Sequence, residues 1–317
     1  MYESYKKLSI IIVNYNTKDL ISLCIESIYN TFNGCFEIIV VDNNSSDNSV
    51  EYIKEKFPAV LILENKENEG FGRANNRGVS VASGEFILLL NSDIIVQKNT
   101  IEKCIEKIED SPDISVLGCK LVNEDGSVQP SCCYYIDEFL RILKSNLFID
   151  KIYKFKEKTD LRAIMGAFML IKKIDFLELG GFDSDFFMYS EEIDFCDRLK
   201  KNKKNLLYFP DVFAIHKNQG SCTNKEKSLK QRCLSHMLMI WKKKTIFGYY
   251  FYMLLQIFNT ITNFSLLWLL KQPFKNQYKK DFFQNTKIHY SLFGKFLLIP
   301  FIYSKKIGDG TKMLKYD

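Results

Sequence analysis

The sequence predicts an α/β protein: a doubly wound, mostly parallel sheet with helices on both faces. Two observations predict it. Between residues 8 and 120 a unit recurs in which an apolar, β-branched run is followed by a polar turn rich in Asn, Asp, Ser or Gly, and then by a segment with helical spacing. The apolar runs are also nearly continuous instead of alternating, as strands buried on both faces require.

The elements follow in order. LSIIIV precedes a helix around Asp19 to Tyr29, and FEIIVV one around Asp47 to Phe57. AVLIL leads to a helix from Gly70 to Val81, and EFILLL to one from Thr100 to Ile108, before the strand DISVLG. The opening MYESYKKLSIIIVNYN has an apolar run of only about six residues and no small-residue cleavage site, so it reads as the first strand and not as a signal peptide. In open sheets of this kind ligands bind beyond the carboxyl ends of the strands. The turns there are NYNTKD, DNNSSDNS, ENKENEGFGRANNRG and NSD, all polar. No GxGxxG follows the first strand and no GxxxxGK[ST] occurs, which removes the main support for classical dinucleotide binding and for P-loop chemistry.

The 317 residues, 46% hydrophobic, are enough for a full core, and no repeat or low-complexity run interrupts them. Nine cysteines without a CxxC pair fit reduced cytosolic thiols and support neither a zinc site nor a disulfide framework. The net charge of +6 hides a polarity: from Lys217 onward 18 basic residues face 4 acidic ones, while residues 1 to 216 carry a net −8. The two parts therefore face different partners.

Five ordered segments, IIVNYN, VVDNNSSDNS, NEGFGRANNRG, LLLNSD and GGFDSDFFMYSEEIDFCDRLKK, with a trailing His216, give residues 8 to 222 a strong resemblance to family 2 glycosyltransferases of the GT-A fold, in particular the bacterial rhamnosyltransferase-like branch. The resemblance implies a catalytic domain over 1–222, with a nucleotide-binding half to about 120 and an acceptor-binding half beyond it. It implies an inverting transfer from a nucleotide diphosphate sugar, dTDP-rhamnose or a UDP-hexose, to a glycan or lipid-linked saccharide in cell-surface polysaccharide synthesis. Asp42 would accept the imide N–H of the base and Tyr15 would stack on it, with Asn14 and Asn44 beside them; Asp42 could equally cap its own Asx turn. Gly70 lets the backbone approach the donor, while Arg73 and Asn75 would meet phosphate or sugar.

Asn91-Ser92-Asp93 occupies the place of the family's DxD motif. Its first Asp is missing, so Asp93 carries over as ligand of Mn²⁺ or Mg²⁺, with His216 completing the site. Matching SEE to the family pattern makes Glu192 the general base and Glu191 its neighbour. Glu is longer than the family's usual Asp, which leaves Glu191 or Asp194 as alternative bases. A sugar-1-phosphate nucleotidyltransferase lacks support because its Gly-rich first loop is absent, and a catalytically silent membrane scaffold is the rival from another class.

Residues 223–317 read as a basic helical region. From Ile246 to Leu270, 25 residues carry no charge, but Gln256, Asn259 and Thr260 interrupt them and aromatics are frequent. This favours a helical pair lying in the cytoplasmic leaflet over a span. The patch FLLIPFIY before Lys305-Lys306 is too short to cross, and its flanking lysines would each gain about 1 kcal/mol near anionic lipid. The expectation is a cytoplasmic protein held peripherally at the inner face of the membrane, with a saccharide or polyprenyl-linked acceptor. Nucleic acid is not expected, since no RRM or zinc-finger pattern accompanies the basic residues.

Overall fold

The structure, a computed structural model, describes residues 7–134, 161–217, 225–269, 276–308 and 312–316. The polar loop after His216 and the lysines at 271 and 275 lie outside them. Strands β1 (Leu8–Asn14), β2 (Phe36–Asp42), β3 (Leu61–Glu64) and β4 (Phe86–Asn91) form the parallel half of the sheet in the order β3-β2-β1-β4. Helices α1 (Lys18–Thr31), α2 (Ser49–Lys56) and α3 (Gly70–Val81) make the crossovers that parallel neighbours require. After β4 come β5 (Ile94–Val96), α4 (Thr100–Glu109), β6 (Ile114–Val122), β7 (Val128–Gln129) and β8 (Cys132–Tyr134). They are followed by β9 (Leu161–Ile164), β10 (Phe168–Lys172), α5 (Lys173–Glu178), α6 (Glu191–Lys201) and β11 (Asn205–His216).

Alternate residues of each central strand feed opposite cores. Leu8, Ile10 and Ile12 pack with Ile21 and Ile25 of α1, Ile53 of α2 and Ile101 and Ile105 of α4. Ile11 packs with Ala74 and Val79 of α3, Phe176 of α5 and Phe195 and Leu199 of α6. Full burial of each such side chain contributes about 1.5–3 kcal/mol, so these two layers dominate the stability of the sheet.

The sheet is less parallel than the sequence predicts. It continues β4-β10-β6-β11-β5, with β10 antiparallel to both β4 and β6 and β11 antiparallel to β5. The chain enters β10 at the rim, beside Leu90 at the carboxyl end of β4, and runs back down. A strand delivered this way needs no crossover helix, so no helical period betrays it. The apolar VFAI is only the last part of the twelve-residue β11, whose register shifts between Phe209 and Phe213 and breaks the pattern ahead of it.

The rear is an α-helical layer of α7 (Lys225–Lys243), α8 (Ile246–Leu269) and α9 (Asn276–Ile302). Residues 246–269 form one continuous helix, not a pair. One face of it, Tyr249, Tyr252 and Met253, is buried with Leu234 and Leu238 of α7 and Leu292 and Phe296 of α9. Among the described residues no helix is long and apolar enough to cross a membrane.

Phe186 belongs to the same cluster, so this layer is packed on the front of the chain. Lys242 of α7 fastens the contact: its ammonium, buried with its partners, meets Asp183 Oδ2 at 2.6 Å and Asp185 Oδ2 at 2.8 Å. The C-terminal segment then crosses the same loop, where Gly308 N–H donates to Asp183 Oδ1 (2.9 Å) and Leu314 N–H to the Asp185 carbonyl (2.8 Å).

Candidate active site

The carboxyl ends of the parallel strands form one rim. Asn14 is in register with Asp42, Asp42 with Glu64, and Val13 with Asn91. Asn14 and Asp42 are both buried and tie the first two turns together. Asn14 Nδ2 donates to Asp42 Oδ1 (2.7 Å) and Ser49 Oγ (2.7 Å), and Thr17 Oγ1 lies 2.6 Å from Asn14 Oδ1 and 2.9 Å from Ser92 Oγ. Asp42 also accepts the backbone N–H of Ser45 (2.8 Å) and its hydroxyl (2.6 Å), the Asx-turn role. With three of about four acceptor positions occupied, Asp42 organises the rim first.

Asn44 stands exposed at φ 63°, and Asn16 and Asn48 share that left-handed conformation, which asparagine tolerates best after glycine. Much of the asparagine in these turns therefore serves the backbone. Tyr15, half-exposed at 46%, is presented to solvent at the rim, as base stacking requires.

Gly70 opens α3 at φ +79°, and a Cβ there would lie 2.0 Å from the Phe187 carbonyl oxygen; Phe71 N–H donates to that same oxygen (2.8 Å). The glycine thus lets α3 dock on the loop ahead of α6. Arg73 and Asn75 are not turned to the rim. Arg73 donates to the carbonyls of Ser184 and Lys312, both at 2.8 Å, and Asn75 is buried and donates to Phe71 of its own helix. Arg73 also offsets the charge of Asp185, whose carboxyl burial pushes up while Lys242 and Arg73 pull it back.

Asn91 ends β4 and Ser92 joins the Thr17 knot. Asp93 is buried, with Oδ1 3.3 Å from His216 Nε2. Backbone pairing makes this contact: His216 is in register with Ile94, and Lys217 N–H donates to the Asp93 carbonyl (3.0 Å). Residues 123 apart in sequence thereby present a carboxylate and an imidazole to one point, a donor set suited to Mn²⁺ and, through the carboxylate, to Mg²⁺. No cluster of three or more His, Cys, Asp or Glu side chains occurs among the described residues. A cation here would take its remaining ligands from a bound diphosphate or water.

The loop GGFDSDFFMYS ends in two strained residues. Tyr189 and Ser190 both have φ 70°, unusual for non-glycine residues and concentrated at functional sites. Gly180 and Gly181 supply the positive φ of the turn before it. Glu191 and Glu192 follow at the start of α6. Each has its Oε2 buried without a hydrogen-bond partner among the described residues. Burial raises both carboxyl pKa values; the charge of Glu192 raises that of Glu191 further, while Arg232 pulls back that of Glu192. Glu191 is the deeper, 3% exposed, facing Gly72 of α3, and Glu192 is partly open. Asp194, the third candidate base, is committed elsewhere: it pairs with Arg198 Nε at 2.8 Å, and Arg198 also donates to the carbonyls of Leu179 and Gly181.

Residues 9–194, more than half of the chain, match the model of glycosyl transferase family 2. The chain belongs to this family. Among relatives of this glycosyltransferase, the low-salt glycan biosynthesis hexosyltransferase Agl10 of Haloferax volcanii is 28% identical over 226 residues, 70% of each chain. The rhamnosyltransferase WbbL of Escherichia coli is 31% identical over 222 residues, covering 65% of this chain and 82% of the relative. An N-acetylglucosaminyl-diphospho-decaprenol L-rhamnosyltransferase of Mycobacterium tuberculosis is 24% identical over 202 residues, 56% of this chain and 66% of the relative. Among solved structures, the mannosyltransferase PcManGT of Pyrobaculum calidifontis, determined with GDP-Man and Mn²⁺, superposes with TM-score 0.58 at 15% identity, over 93% of this chain and 86% of that one. GalNAc-T7 with UDP, GalNAc and Mn²⁺ gives TM-score 0.55 at 19% identity, over 76% of this chain and 49% of that one. These likenesses establish the GT-A fold.

Sequence reasoning missed Asp183, Asp185, Lys242, Arg198 and Gln129, which hold the loop ahead of α6 and His216. Asp183 and Asp185 stand in the quoted motif, so a signal existed; Gln129, in SVQPS, offered none. The Glu191 carboxyl yields a prediction for the family 2 enzyme. The folded state holds its proton more tightly than the unfolded chain, so its contribution to stability declines as pH rises from the ordinary value of 4.5 through the folded one. Glu191→Gln is expected to melt above the parent at pH 8, with the difference shrinking towards pH 4; equal differences at both pH values in thermal melts count against the burial argument.

Proposed function

We propose that this family 2 enzyme transfers a hexose with inversion from a nucleotide diphosphate, dTDP-rhamnose or a UDP-hexose, to a saccharide hydroxyl in the synthesis of a cell-surface glycan. The observation that carries the reading is the pair of glutamates behind a strained loop, each with a buried carboxylate oxygen that makes no hydrogen bond among the described residues. Buried unsatisfied carboxylates are costly and mark functional sites. Glu192, the more open of the two, accepts the acceptor hydroxyl proton. The new C–O bond forms at the anomeric carbon as the bond to the diphosphate breaks, and the electron pair leaves on the diphosphate oxygen. One displacement of this kind inverts the configuration. Glu191, whose carboxyl pKa is raised by burial and by the charge of Glu192, donates a hydrogen bond that orients the acceptor.

Asp93 and His216 would hold Mn²⁺ or Mg²⁺, which neutralises charge on the leaving diphosphate. Tyr15 and Asn44 flank the base, and Asp42 and Asn14 fix the turns that carry them. A panel of UDP-, dTDP- and GDP-sugars, with and without Mn²⁺, tests this. One donor is expected to be consumed metal-dependently; Asp93→Ala abolishes its binding, whereas Glu192→Gln keeps binding and lowers kcat by about 10²–10⁴-fold. Unchanged turnover in Glu192→Gln contradicts the assignment of the base.

We further propose that residues 223–317 bring the enzyme to the cytoplasmic face of the membrane and to a polyprenyl-linked acceptor. Phe247, Phe251, Leu254 and Phe258 form an exposed stripe on α8, and Tyr290, Phe293, Leu297 and Phe301 one on α9. From Lys227 to Gly308 fourteen basic residues accompany a single acidic one, Asp281. Apolar area with a cationic border fits an anionic lipid surface. The parent is expected to sediment with phosphatidylglycerol vesicles and not with phosphatidylcholine, and Phe251→Asp with Phe301→Asp to stay in the supernatant; sedimentation unchanged by the double substitution rejects this surface.

A further inference from the structure

Gln129 lies on β7, the short strand that turns back from β6, with its backbone in register with Leu121. It is almost fully buried, and its amide makes three contacts. Nε2 donates to the His216 carbonyl (2.7 Å) and to Asn123 Oδ1, and Oε1 lies 2.8 Å from His216 Nδ1. The carbonyl and Asn123 Oδ1 can only accept, so the amide cannot be turned over. The atom facing the imidazole is therefore an acceptor, and Nδ1 must carry the proton. In the neutral ring Nε2 is then bare, and it points at Asp93 Oδ1 3.3 Å away. Two acceptors facing each other in this way offer one cation a ligand from each side.

We propose that Gln129 is a positioning residue of the cation site, fixing the tautomer and orientation of His216 so that Nε2 and Asp93 are aimed at one cation before it arrives. This rests on the reading of Asp93 and His216 as its ligands. An imidazole held at Nδ1 by a buried acceptor is the more basic ligand and needs no rotation to bind, and losing such an outer partner typically costs 10–100-fold in metal affinity. The hairpin supports the arrangement: Asn123 Nδ2 donates to Ser127 Oγ (2.7 Å) and Asn123 N–H to the Ser127 carbonyl (2.8 Å), which keeps Asn123 in place to hold the amide.

The test titrates Mn²⁺ into the full chain with a nucleoside diphosphate present, following the free ion by EPR. Gln129→Met keeps the length and removes the acceptor; His216→Ala is the reference. Gln129→Met is expected to bind Mn²⁺ about 10–100-fold more weakly. Parent-like binding by Gln129→Met, with weakened binding by His216→Ala, overturns the role of Gln129 alone. Parent-like binding by His216→Ala overturns the ligand reading as well. Long-range ¹H–¹⁵N spectra of the metal-free parent, at a pH where the ring is neutral, give a readout independent of how the variants fold. Nδ1 of His216 should appear protonated and Nε2 bare, and the opposite tautomer refutes the proposal.

Discussion

The three-residue ladder between β5 and β11 is the constraint on which the donor side of the site depends. Asp93 follows β4 of the parallel half, and His216 ends β11, which lies between β6 and the edge strand β5. Nothing local holds them together. Pairing of Ile94, Ile95 and Val96 with His216, Ile215 and Ala214 fixes the register, and a slip of one residue would turn His216 away from Asp93. The apolar members of that ladder, Ile94, Val96 and Ala214, are buried in the core, so burial enforces the register and the register places the two polar side chains. Site geometry is thus a by-product of apolar packing.

The acceptor side depends on the loop between α5 and α6. Its backbone is strained at Tyr189 and Ser190, and each glutamate behind it buries a carboxyl oxygen without a hydrogen-bond partner among the described residues, both of which oppose folding. Compensation comes from outside the catalytic sheet. Lys242, Arg73 and the returning C-terminal segment all grip residues 183–186, and Arg198 grips the Gly181 turn. The rear helices therefore support Glu191 and Glu192 physically, because the loop that presents them is clamped between these helices and α3. A buried cation shared by two carboxylates suits such a clamp, since loss of Lys242 leaves uncompensated buried charge at a cost of about 3–5 kcal/mol.

The strands and helices up to residue 120 were legible because continuous apolar runs and helical periods alternate there, and each run met a core of the same sign. The antiparallel insertion of β10 was not legible, since it leaves no crossover to detect, and β5 is too short to show a period. Motif order singled out Asp93, His216 and the glutamates, and the structure brings Asp93 and His216 together. Arg73, Asn75 and Asp194 bond to neighbouring protein groups, and a polar side chain beside a site looks the same in sequence whether it faces a ligand or a neighbouring carbonyl. Only tertiary hydrogen bonds separate those cases, as they separate the Asx turn of Asp42 from a contact to a base. Gln129 shows the converse: a polar residue in an unremarkable loop gains importance solely from what the β6–β7 hairpin brings beside it.

The central claim is that one cation binds between Asp93 and His216, with the glutamates on the opposite side of the reacting carbon. An anomalous difference map at the manganese edge, from a crystal grown with Mn²⁺ and a nucleoside diphosphate, tests it most directly. A single strong peak shared by the Asp93 carboxylate and His216 Nε2, with the diphosphate between it and Glu192, is the predicted result. A peak at Glu191 and Glu192, or none within coordination distance of Asp93, would contradict the account.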